Sequence, residues 1–183
     1  MTLYSIIFGI LFVGACKELF QTLLQKQWSK FSEAASVTLL IFNDALYTSH
    51  ILEVKKVSYL IQMKLIDLVD FLLLSMAIVI IDPLENQLGI KSTEPFRRRE
   101  PFFWSLLTIY WIFTLEWNRL AFIDELTMSY RIVQYSLLLI LIAMSILTAT
   151  WPSRFVTTLM RRCIPVLLLL YFVAYKPFVL GKR

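Results

Sequence analysis

The sequence predicts an all-α fold, a polytopic transmembrane helical bundle of about six spans. The chain is 58% hydrophobic, above the share of about 45–50% that is typical of soluble domains. Only 17% of its 183 residues are charged, too few to cover a water-facing surface of this size, and its mean hydropathy is +0.70. The polar residues fall in bands between apolar stretches, as expected of helices that cross a bilayer.

The spans are predicted from apolar runs of roughly 20 residues, the length that crosses the hydrocarbon core as a helix. The first run contains Lys17 and Glu18. No basic residue precedes this run, whereas a signal peptide begins with a positively charged region. The second run is the weakest, and the bundle has five spans if it does not cross. In chain order the predicted spans are residues 3–24, 34–52, 65–82, 101–121, 132–151 and 163–180.

The last four spans differ in the charged residues that they contain. The span 101–121 has Glu116 and Arg119 near its end, and 132–151 has no charged residue at all. In the span 163–180, Lys176 lies within snorkelling reach of an interface. No repeat or low-complexity segment divides the chain. We therefore expect a single transmembrane helical domain over residues 1–183.

Three polar residues interrupt the second span, and each costs free energy if the span lies in lipid. They are Asn43, Asp44 and His50. One interpretation is a proton or ion path, in which the carboxylate and the imidazole both take part. A second is that Asn43 or Asp44 caps a helix that starts there, or makes a hydrogen bond between helices. A third is exposure outside the membrane.

Acidic residues occur at two further places in or near the predicted spans. Asp67 and Asp70 are three residues apart and share one helix face, on which Lys64 can pair with Asp67. They form either a vestibule that concentrates cations or the solvated rim of a bundle. Glu116 and Arg119 are also three residues apart and can pair on their helix. We count Asp67, Asp70 and Glu116 among the candidates for an ion path or for polar contacts between helices.

Basic residues before two of the spans are candidates for contact with lipid headgroups or with a partner protein. The triplet Arg97, Arg98 and Arg99 leads directly into the aromatic residues of the fourth span. Arg161 and Arg162 precede the last predicted span in the same way. Basic side chains beside interfacial aromatics are typical of headgroup contacts. For this reason we assign the net charge of +5 to the membrane surface and do not expect a nucleic-acid partner.

Recognisable catalytic and cofactor motifs are missing from the sequence. It has no nucleophile elbow, no HExxH and no phosphate-binding glycine loop. A single histidine and two distant cysteines give no metal-ligand spacing, so we expect neither a metal nor another cofactor. Four glycines without GxxxG argue against a transporter or a channel with a backbone filter.

The function expected from these observations is that of a non-enzymatic integral membrane subunit. Such a protein forms oligomers, or anchors or signals to a larger partner, as a membrane sensor, effector or complex subunit. The alternative is a small ion or proton channel that uses intramembrane Asp and His side chains. A transporter or an intramembrane enzyme is the second alternative. The expected location is a plasma membrane or a bacterial inner membrane.

Overall fold

The computed structural model describes residues 3–54, 61–82, 96–121 and 128–175. Within these ranges it contains six α-helices and no strand, which confirms the predicted all-α fold. The last helix continues into one π-helical turn, Tyr171–Tyr175. The helices are α1 (Leu3–Leu24), α2 (Trp28–Val54), α3 (Ile61–Ile81), α4 (Phe96–Ala121), α5 (Met128–Thr150) and α6 (Phe155–Leu170).

Three of the described helices are long and apolar enough to cross a membrane, fewer than the six predicted spans. The qualifying segments are Ile6–Leu24 in α1, Arg131–Thr150 in α5, and Phe155–Val173 in α6 with its π-helical turn. The remaining helices, α2, α3 and α4, are similar in length to those that qualify. They are the helices that carry Asp44, Asp67, Asp70 and Glu116.

The bundle consists of helices that alternate in direction. Helix α2 packs against α1 and α6, whereas α4 packs against α3 and α5. The turn from α1 to α2 is tight because Lys26 adopts a left-handed conformation with φ 54°. The backbone N–H of Gln27 donates to the carbonyl of Thr22, and that of Lys26 to the carbonyl of Leu23. This pair of bonds is a Schellman motif, which satisfies the last carbonyls of a helix.

The core is centred on the aromatic residues of α4. Trp104, Tyr110 and Trp111 are among the largest fully buried side chains. The indole N–H of Trp111 donates to the backbone carbonyl of Gln134 at 3.0 Å, which satisfies a polar group that is otherwise costly to bury. The side-chain amide of Gln134 in turn donates to the hydroxyl of Tyr171 at 3.3 Å. These contacts attach α5 and the end of α6 to α4.

Five of the six helices begin earlier than their predicted spans, and three of them do so by five residues or more. Helix α2 begins at Trp28 rather than at residue 34, α4 at Phe96 rather than at 101, and α6 at Phe155 rather than at 163. Hydropathy ends a span at the first charged residues, here Glu33, Glu100 and Arg161. In the structure these side chains are buried against one another, so the helices continue through them.

Candidate functional site

Two clusters of buried ionisable side chains lie at different levels of the bundle. We call Asp44, Asp67, Asp70 and Tyr110 the aspartate cluster, because acids from α2 and α3 gather there around one tyrosine of α4. The second, described below, contains one arginine. The two levels are separated by about 16 Å along α2, from the rise of 1.5 Å per residue between Glu33 and Asp44.

The aspartate cluster is joined by a hydrogen bond between helices. The hydroxyl of Tyr110 donates to Oδ2 of Asp44 at 2.8 Å. The side-chain amide of Asn43 donates to Oδ1 of the same carboxylate at 3.2 Å. Both carboxylate oxygens of Asp44 therefore accept a hydrogen bond. Asn43 and Tyr110 are buried and Asp44 is half-buried, near the middle of α2 and α4.

Helix α3 contributes two more acids to this level. Asp67 and Asp70 are buried, and Asp70 is only 4% exposed. The charged side chains that act on Asp70 are Asp44 and Asp67, both acidic. Within the described ranges, Oδ1 of Asp70 has no hydrogen-bond partner. The buried indole of Trp117 lies beside Asp67, and its N–H interacts with the carboxyl of that residue.

The second cluster joins the N-terminal parts of α2, α4 and α6. We call Glu33, Glu100 and Arg161 the arginine cluster. The guanidinium of Arg161 donates to Oε1 of Glu100 through Nε at 2.6 Å, and its Nη2 lies 2.5 Å from the same oxygen. Its Nε is also 3.3 Å from Oε1 of Glu33. The indole N–H of Trp104 reaches Oε1 of Glu100 at 3.4 Å.

The structure decides between several of the alternatives for the second span. Helix α2 runs without a break from Trp28 to Val54, so neither Asn43 nor Asp44 caps a helix. The bond from Tyr110 to Asp44 is instead a contact between helices. His50 lies within α2, but its side chain is outside the described residues. Because Asp67 and Asp70 are buried, the solvated-rim interpretation of these acids is wrong.

The remaining predicted site residues lie outside the aspartate cluster. Glu116 accepts two hydrogen bonds from Arg119 of its own helix, at 2.6 and 2.8 Å, in an exposed pair. Arg98 and Arg162 are exposed and Arg99 is half-exposed, whereas the side chain of Arg97 is outside the described residues. The prediction that Arg161 contacts lipid headgroups is wrong. Its guanidinium is 8% exposed and lies on Glu100 inside the bundle.

Tyr110, Glu33 and Glu100 are site residues that were not predicted from the sequence. Tyr110 has a signal in the sequence, since it lies in the middle of its predicted span and tyrosines in membranes favour the interfaces. Glu33 adjoins the small residues Ala34, Ala35 and Ser36, which are typical of close contact between helices. Glu100 was hidden by the basic triplet before it.

Comparisons with protein-family models, with curated proteins and with solved structures found no match.

Proposed function

We propose that the chain is an integral membrane protein that crosses the bilayer six times. The apolar and polar faces of α3 support this topology. Its buried face contains Asp67 and Asp70, whereas the exposed residues between Leu65 and Val79 on its outer face are all apolar. In a water-soluble bundle the distribution is reversed, with charged residues outside. These apolar residues are Leu65, Leu68, Leu72, Met76 and Val79, and the exposed polar residues Gln62 and Lys64 lie in the first turn of α3.

The same principle supports α2 and α4 as spans. A charged side chain in a transmembrane helix faces the bundle interior and pairs there. Asp44 and Glu33 of α2 contact Tyr110 of α4 and Arg161 of α6 respectively, and Glu100 of α4 contacts Arg161. Asp44, Glu33 and Glu100, which lower the hydropathy of these helices, are thus directed towards other helices and away from lipid.

We further propose that the protein binds protons at the aspartate cluster and passes them across the membrane. The observation that carries this proposal is Asp70, a buried carboxyl whose Oδ1 has no hydrogen-bond partner among the described residues and whose described charged neighbours are acids. A proton on one of these carboxyls relieves the repulsion and supplies a hydrogen-bond donor. Tyr110 adds a hydroxyl that both donates and accepts. Chains of such groups are the proton relays of membrane pumps and transporters.

A proton fits this level better than a metal ion does. Within the described part of the chain, no three His, Cys, Asp or Glu side chains are placed to hold a metal ion. A hard cation such as Ca²⁺ takes six to eight oxygen ligands. A proton needs only one donor oxygen and one acceptor oxygen.

Proton flux into liposomes tests the proposal. The wild-type protein should acidify liposomes that contain a pH-sensitive dye under an inward proton gradient. Asp44→Asn and Asp70→Asn should reduce the flux to that of protein-free liposomes, because an amide does not exchange a proton in this range. Asp82→Asn is the matched control, because Asp82 directly follows the last residue of α3 and lies outside the aspartate cluster. This variant should retain the flux. Equal flux in all four proteins, or none in the wild type, contradicts the proposal.

The role of membrane subunit stays a prediction. The apolar outer faces of the helices fit lipid and a partner helix equally well, so no described contact favours oligomerisation or anchoring. The expectation of a non-enzymatic protein also stays a prediction.

A further inference from the structure

The arginine cluster contains two carboxyl groups and one guanidinium group. Glu33 is 0% exposed and Glu100 is 2% exposed. Water therefore does not solvate the carboxyl that Arg161 leaves without a counter-charge. Arg161 directs both its Nε and its Nη2 to the same oxygen of Glu100. With both carboxyls ionised, the cluster holds one uncompensated negative charge. An unpaired buried charge is costly, and such a group normally takes up a proton.

The second observation is the position of the Glu33 carboxyl. Nε of Arg161 lies 3.3 Å from its Oε1, but neither oxygen accepts a side-chain hydrogen bond of good geometry from a described residue. The carboxyl nevertheless lies beside that of Glu100. Two carboxylates cannot form a hydrogen bond, because each only accepts. A carboxylic acid beside a carboxylate can donate to it, and bonds to an ionised acceptor are the stronger kind.

Other charged groups nearby do not supply the missing positive charge. The charged side chains that act on Glu33 are Glu100 from α4 and Arg161 from α6. On α1, the neighbouring acid is Glu18, and it is Glu18 that interacts with Lys17, Lys30 and Asp82. The next arginine on α6, Arg162, is exposed. Arg161 is therefore the cation that the two glutamates share.

We propose that the arginine cluster is a second proton-binding site, in which Glu33 is the neutral acid and donates a hydrogen bond to Glu100. The bound proton makes the net charge of the cluster zero. The site lies about 16 Å from Asp44 along α2, and the buried apolar residues Val37, Leu40 and Ile41 occur in the intervening turns. The inference does not depend on proton flux through the aspartate cluster.

The pH dependence of unfolding tests this proposal in detergent micelles. In the unfolded chain a glutamate releases its proton near pH 4.3, whereas the folded cluster retains it. Stability should therefore fall as the pH rises above this value, with a contribution of about tenfold per pH unit in the folding equilibrium constant. Glu33→Gln should remove this contribution, since the amide keeps the shape and the donor. The variant should melt close to the wild type near pH 4.3 and at a higher temperature than the wild type at neutral pH. Glu116→Gln, the matched control in an exposed pair, should retain the slope.

Infrared difference spectroscopy supplies a readout that does not require a stability measurement. The carbonyl stretch of buried carboxylic acids should be present at neutral pH. One component should disappear in Glu33→Gln, shift in Glu33→Asp and persist in Asp70→Asn, whereas any component from the aspartate cluster should remain in Glu33→Gln. A spectrum of Glu33→Gln that retains every wild-type component overturns the proposal, as does an unchanged pH slope of that variant. Stabilisation of the wild type by sodium over choline at constant ionic strength, lost in Glu33→Gln, also overturns it, because a metal cation then occupies the site.

Discussion

The arginine cluster and the aspartate cluster are both buried, both involve α2 and α4, and differ in the charge that faces their acids. In the arginine cluster, a guanidinium from α6 lies 2.5 and 2.6 Å from one oxygen of Glu100. In the aspartate cluster, the charged side chains that act on Asp70 are two other acids. Burial alone therefore does not distinguish a carboxylate held by a cation, such as that of Glu100, from an acid that binds a proton. The neighbouring charge distinguishes them.

This difference implies different energetic roles for the two levels. A buried ion pair adds little to stability over a hydrophobic replacement, but removal of one partner leaves an uncompensated buried charge. The arginine cluster should therefore be sensitive to loss of its single cation. The aspartate cluster adapts by taking up a proton, so it should tolerate substitution better and lose flux instead.

The largest effect on stability is expected from loss of Arg161. Arg161→Gln leaves Glu100 buried without its guanidinium partner, and we expect the free energy of unfolding to fall by about 3–5 kcal/mol. The measurement is reversible unfolding in mixed micelles. Arg119→Gln is the control, because it removes an arginine from an exposed pair with Glu116, and its melting temperature should not change. If the two variants melt alike, Arg161 does not hold the helices together.

A smaller effect is expected from loss of the Tyr110 hydroxyl. Tyr110→Phe removes the donor to Asp44 while retaining the ring in the core, and it should destabilise the protein by about 1–3 kcal/mol. It should also lower proton flux if Tyr110 belongs to the relay. Tyr135→Phe on the exposed face of α5 should remain within about 0.5 kcal/mol of the wild type. Indistinguishable unfolding of the two variants would show that the bond to Asp44 contributes nothing.

The helices were predictable from the sequence because apolar length is a local property. Each of the six predicted spans overlaps one helix of the structure. The starts of α2, α4 and α6 were not predictable, since the residues that prolong them are stabilised by distant parts of the chain. Arg161 and Glu100, for example, are 61 residues apart in sequence.

The candidate site was predictable only in part, for the same reason. Asp44 and Asp70 were identified because an acid in an apolar run is conspicuous. The proximity of Asp44 and Asp70 was not predictable, because it depends on how α2, α3 and α4 pack. Tyr110 meets Asp44 across 66 residues, and no local spacing encodes that contact. The guanidinium of Arg161 points into the bundle because it contacts Glu100, and no local spacing encodes that contact either.

The most direct test of the central claim, that buried acids lie within a lipid-embedded bundle, is the environment of α3. Spin labels placed by Leu68→Cys and Leu72→Cys, after replacement of Cys16 and Cys163, report the outer face, and Leu74→Cys reports the buried face. In nanodiscs, the two outer labels should be accessible to oxygen, which partitions into lipid, and shielded from a water-soluble nickel chelate. The Leu74 label should be shielded from both. High accessibility of the outer labels to the nickel chelate would contradict the claim.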